Sequence, residues 1–146
     1  MNAASISSQI EANVMRIEST GVSLRRIWAS RILTALSVLF FLLDGGMKLF
    51  KPPVVVQATV GLGYPESTIV GIGVTLLVCT VLYLIPRTAV LGAILLTGYL
   101  GGAVASNVRA ETALFNAVFP ALFAVVVWAS LVLRDKRLES IFLKAE

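Results

Sequence analysis

The chain has 146 residues, 58% hydrophobic and 14% charged, with a net charge of +4 and a mean hydropathy of +0.91. Soluble domains carry about 25% charged residues, so the composition excludes an ordinary soluble domain, and the length leaves no second domain to house chemistry. There is no histidine and one cysteine, Cys79. Imidazole acid–base work, bis-histidine haem, a CxxC redox pair, a cysteine-ligated iron–sulfur cluster and an intrachain disulfide are therefore excluded within this chain, and no metal site is expected.

Residues 1–29 form a polar N-terminal segment. Ser8-Gln9-Ile10-Glu11 reads as a capping box that starts a helix at Ser8. Ile10, Val14 and Ile17 follow at helical spacing, as in a short amphipathic helix lying on the cytoplasmic membrane surface. A disordered tail, or an extension upstream of a natural start at Met15, is the alternative. No small-residue cleavage site follows the apolar run, so the first span reads as an uncleaved anchor.

A membrane crossing needs about 20 apolar residues, and four stretches supply them, at about 30–50, 68–85, 88–108 and 113–133. In the first, Ser30, Thr34, Ser37, Phe41, Asp44 and Lys48 recur at steps of four and three. That gathers its polar residues on one stripe, which must face a bundle interior rather than lipid. Asp44 and Lys48 are four apart and can pair.

Pro52-Pro53 ends this span. Residues 54–60 are too short to cross and are followed by Gly61 and Gly63, so they read as a half-helix in the first outer loop, lying on or dipping into the membrane face. Ser67 or Thr68 opens the second span. Thr75, Cys79 and Tyr83 lie along it: Thr75 is expected to bond its own helix, Cys79 to pack, and Tyr83 to anchor at the membrane surface.

Pro86-Arg87-Thr88 is a turn tight enough to force spans two and three into a hairpin. Span three carries Gly98-x-x-x-Gly102 and then Ser106, a spacing that lets helices approach closely. The other reading of these glycines is a floor for a flat ligand. Pro120 interrupts span four and frees the carbonyl of Asn116. Residues 135–146 form a tail.

Orientation follows from the basic residues near the span ends. Arg16, Arg25, Arg26, Arg31, Arg87, Arg134, Lys136, Arg137 and Lys144 gather on one side, and Lys48, Lys51 and Arg109 on the other. This distribution predicts an all-α, polytopic four-helix membrane bundle with both termini in the cytoplasm (N-in, C-in). It speaks for the lipid bilayer as partner and against nucleic acid.

The same topology sends Asp44, Lys48, Tyr99, Asn107 and Arg109 to the extracytoplasmic end, where they form the candidate ligand-binding set. The functional expectation is an outward polar pocket for a small ligand or quinone head group. The structural alternative is a ring of ion pairs that fixes helix register.

Leu43-Asp44-Gly45-Gly46-Met47-Lys48-Leu49, Leu62-Gly63-Tyr64-Pro65, residues 84–93 (LIPRTAVLGA) and residues 98–105 (GYLGGAVA) together resemble the DoxX-like family of small four-span bacterial membrane proteins, over roughly residues 30–137. The resemblance implies a four-helix bundle, multi-pass in a bacterial inner membrane. The wider DoxX group includes a subunit of thiosulfate:quinone oxidoreductase and members linked to redox stress. The resemblance thus implies a redox or quinone-associated accessory subunit working with a membrane partner protein, with quinone as a non-covalent ligand. Binding or transport of a small apolar molecule, or a purely structural role including homo-oligomer formation, is the alternative. The family pattern often has histidine where this chain has Asn107, so no titratable imidazole stands beside Arg109 here.

Overall fold

The structure is a computed structural model that describes residues 3–134 and Leu138, with side chains at Gln9 and from Leu24 onward. Five α-helices follow in order: α1 (Ala3–Phe50), α2 (Pro53–Gly61), α3 (Ile69–Leu84), α4 (Ala89–Arg109) and α5 (Leu114–Arg134), with a 3-10 turn at Glu66–Thr68 before α3. Among the described residues there is no strand. Four segments are long and apolar enough to cross a bilayer: Leu24–Phe50, Glu66–Leu84, Ala89–Arg109 and Leu114–Arg134. The expected four-helix membrane bundle is present, and so is the half-helix after span one.

The N-terminal segment departs from expectation. The helix is already formed at Ala3, ahead of Ser8, and runs without interruption into the first span. Between Ser8 and Arg31 there is no proline, and the only glycine is Gly21. Nothing in that stretch forces a stop, and a propagating helix gains one hydrogen bond for each residue fixed. The Ile10, Val14 and Ile17 side chains and the 135–146 tail, apart from Leu138, lie outside the described residues.

The helices form a ring. α1 packs against α3 and α5, and α4 packs against the same two helices from the opposite corner. Spans one and three are therefore diagonal, not adjacent. The core between them comprises Phe41, Leu76, Cys79, Tyr83, Ala93, Leu96, Leu100, Val127 and Leu131, with Ala89 at the start of α4. The predicted stripe of α1 turns inward: Ser30, Ser37 and Phe41 are buried. Two of its hydroxyls, Thr34 Oγ1 and Ser37 Oγ, have no hydrogen-bond partner among the described residues. The outer faces are large and apolar, as with Leu36 and Leu39 on α1 or Val78 and Val81 on α3, which suits contact with lipid.

In lipid there is little hydrophobic drive to bring helices together, so close packing and interhelical hydrogen bonds must do it. At the end bearing Arg26 both are dense. The Tyr83 hydroxyl donates to Val127 O (3.2 Å) and shares a hydrogen bond with Ser130 Oγ. Ser30 Oγ donates to Ser130 O (2.9 Å). Arg26 donates to Leu133 O and Val132 O (both 3.2 Å), covering carbonyls that the end of α5 leaves open. Tyr83, expected at the membrane surface, is instead fully buried; the Val127 carbonyl and the Ser130 hydroxyl of α5 give its phenol partners inside. Arg134 lies over its ring, 5.6 Å from the centroid.

Glycines set two of the closest approaches. A Cβ on Gly92 would collide with the Tyr83 backbone nitrogen, so the α3–α4 hairpin closes only because that Cβ is missing. A Cβ on Gly73 would stand 2.7 Å from Lys48 Cβ and 3.0 Å from Gly45 O, where α1 crosses α3.

Candidate ligand-binding site

At the opposite end the helices splay around a cavity of about 480 Å³. Its walls come from every helix. α1 gives Phe40, Asp44 and Lys48; α3 gives Ile72; α4 gives Gly98, Tyr99, Gly102, Ala103, Ser106 and Asn107; α5 gives Phe119 and Pro120. Val55, Ala58 and Thr59 of α2, with Leu62 and Tyr64 after it, lie across the remaining side.

Asp44 and Lys48 meet as the sequence spacing implies, with Lys48 Nζ donating to Asp44 Oδ1 at 2.5 Å. Asp44 bonds along its own helix and not across to Arg109, because α4 stands at the far corner. A lone charge at mid-bilayer costs about 2.5–3.5 kcal/mol, and pairing offsets much of that. The pair leaves the cavity wall with no net charge. An ammonium has three donors, and Asp44 takes one from Lys48, so donors remain for a guest. Opposite, on α4, the Tyr99 hydroxyl makes no hydrogen bond to any described residue.

Asn107 lines the cavity but its amide is occupied locally. It donates to Ala103 O (2.9 Å), and its Oδ1 accepts from Thr112 Oγ1 (2.9 Å). Arg109 lies outside the cavity. It donates to Leu62 O at 2.8 Å, and its guanidinium sits where a Cβ of Gly63 would be, 3.0 Å from that position. Of the five expected site residues, four share the cavity: Asp44, Lys48, Tyr99 and Asn107.

Within this chain, Gly98 and Gly102 are not closed against another helix. A Cβ at either would meet nothing within 4 Å. They line the cavity as a bare strip of backbone, which is the floor reading of that motif.

Sequence reasoning missed the aromatic wall. Phe40 stacks on Phe123 with centroids 4.2 Å apart and meets Phe119 edge-on at 5.3 Å. Phe115, Phe119 and Phe123 recur every fourth residue, a signal available in the sequence. Tyr64 was also missed. It bonds Ser106 Oγ at 2.6 Å; Ser106 gives its own proton to Gly102 O (2.8 Å), so Tyr64 is the donor.

This arrangement can hold a compact molecule between an aromatic wall and a glycine floor, with polar donors on two sides. Searches of curated proteins and of solved structures return no match. The family model described as the DoxX-like family matches residues 32–130, which contain α2, α3 and α4 whole, α1 from Ile32, α5 to Ser130 and every cavity residue named above. That match covers well over half of the sequence, and the chain belongs to the DoxX-like family.

Proposed function

We propose that this chain is a ligand-binding membrane subunit whose cavity takes a small, flat, uncharged molecule with hydrogen-bonding oxygens, a quinone-type head group above all. The observation that carries the reading is the cavity itself. Its volume falls in the range of small-molecule sites, several hundred Å³. Its one cation and one anion neutralise each other, which disfavours a charged guest. Lys48 and Tyr99 offer donors that quinone carbonyls accept. The Gly98–Gly102 floor and the Phe40–Phe119 wall suit a planar ring.

With a single cysteine and no histidine in the chain, this reading leaves electron transfer to a partner protein. A bound quinone would supply the redox chemistry, while these residues bind it, orient it and keep its head group among polar atoms. The distribution of basic residues supports an N-in, C-in orientation, and on that reading the cavity faces the extracytoplasmic side.

The test is thermal stability in detergent of the parent and Asp44→Asn proteins, each with decylubiquinone, menadione and a non-quinone apolar molecule such as decane. Binding to the folded state raises the midpoint by mass action. The expected result is a quinone-dependent rise in the parent that is lost or sharply reduced in Asp44→Asn. Stabilisation by decane equal to that by the quinones would favour a general apolar site instead. No shift with any of them would refute ligand binding.

A further inference from the structure

We propose that α2 is a hinged cover over this cavity, and that Arg109, from outside the cavity, is the latch that holds it closed. The inference rests on the ligand-binding reading above and adds how the site would be opened.

The cover is a short helix between two corners. At one, Lys51 adopts φ 48° and is followed by Pro52-Pro53; at the other, Gly63 adopts φ 86°. Left-handed residues turn a chain sharply, and a rigid helix between two such corners can swing as a unit. Each bundle helix packs along two others, but the close backbone neighbours of α2 lie chiefly in the adjoining 3-10 turn. It buries Thr59 toward the cavity while Val54 on its other face is 76% exposed.

Few groups hold it down. Tyr64 donates to Ser106 on α4. Lys51 and Glu66 approach to 3.8 Å at the surface, too exposed to contribute much. The remaining fastening is Arg109, whose guanidinium donates to Leu62 O, the carbonyl next after α2. Arg109 also lies in the last turn of α4. Two helix C-termini, each with negative dipole character, thus meet one cation. A charge-assisted bond is stronger than a neutral one at the same exposure, and Arg109 meets the cavity wall only from behind, at the Leu62 carbonyl, without lining the cavity itself. Its removal should change how often the cover opens without changing what the ligand touches.

The experiment reads opening directly. Thr59→Cys is placed in a Cys79→Ser background, and its labelling by a membrane-permeant maleimide is timed with Arg109 intact, as Arg109→Gln and as Arg109→Lys. Val54→Cys in the same backgrounds is the control for an already exposed site. The expected result is labelling of Thr59→Cys about fivefold faster or more in Arg109→Gln, the scale of one ordinary net hydrogen bond at an exposed site. Arg109→Lys should recover part of the protection, and Val54→Cys should not change. Equal rates at Thr59→Cys, or equal acceleration at both sites, would overturn the proposal.

Repeating the measurement with decylubiquinone separates the two ideas. Protection by quinone with no effect of Arg109→Gln would remove the latch and leave the ligand. Faster labelling without quinone protection would leave the cover and remove the ligand.

Discussion

The two ends of the bundle use the same residue types for opposite purposes. At the Arg26 end, a tyrosine, two serines and a glycine close the structure: Tyr83 is sealed against Ser130 and Val127, Ser30 reaches Ser130, and Gly92 lies on the Tyr83 backbone. At the α2 end, a tyrosine, a serine and glycines leave room. Tyr99 presents a spare hydroxyl, Ser106 faces the cavity, and Gly98 and Gly102 touch nothing where a side chain would be. A glycine in a membrane helix is therefore a statement about space, not about packing, and only the neighbouring helix decides whether that space is filled.

Substitutions sharpen this contrast, because alanine should destabilise where a glycine lies against a neighbouring helix and not where nothing stands over it. The largest effect is expected for Gly92→Ala. The added Cβ meets backbone, which cannot swing aside as a side chain can, so a loss of about 3 kcal/mol is expected in reversible unfolding in mixed micelles. A loss under half of that would show that the hairpin has slack.

Gly73→Ala should follow, at roughly 2 kcal/mol, since it presses on both Lys48 Cβ and the Gly45 carbonyl. It should also weaken quinone binding by displacing Lys48, a coupling that Gly92→Ala should not show.

Tyr83→Phe removes the hydroxyl from the sealed network but keeps the ring. Interhelical hydrogen bonds in membranes average about 0.6 kcal/mol and reach about 1.7, so a loss of about 1 kcal/mol is expected in the same unfolding measurement. The smallest effect, and of the opposite sign, is expected for Gly101→Ala. Its Cβ meets nothing within 4 Å, and the relief of backbone entropy should stabilise α4 by about 0.5 kcal/mol.

Most of the frame can be read from the amino acids. Run length and apolarity place four spans, Pro52-Pro53 and Gly61/Gly63 bracket α2, and the four-residue spacing of Asp44 and Lys48 predicts their pair. These are local properties, and one helix is enough to express them. What could not be read depends on which helix stands beside which. The diagonal placement of α1 and α4 keeps Asp44 from Arg109, and Gly63 leaves the space that Arg109 fills. Small-residue spacing in α4 pointed to packing at Gly98 and Gly102, yet the same spacing describes a floor. The helix start at Ser8 failed for a different reason: a capping sequence permits a start but does not impose one when the preceding residues can also be helical.

The central claim is that the space above Gly98 is a ligand site. Gly98→Leu tests it most directly, because the position has room for a side chain and the Asp44–Lys48 pair is untouched. Thermal midpoints of the parent and Gly98→Leu proteins would be measured across a decylubiquinone titration. The account predicts a midpoint without quinone at or slightly above the parent's for Gly98→Leu, a rise with quinone in the parent, and no rise with quinone in Gly98→Leu. An undiminished rise in Gly98→Leu, or a parent that quinone does not stabilise, would contradict it.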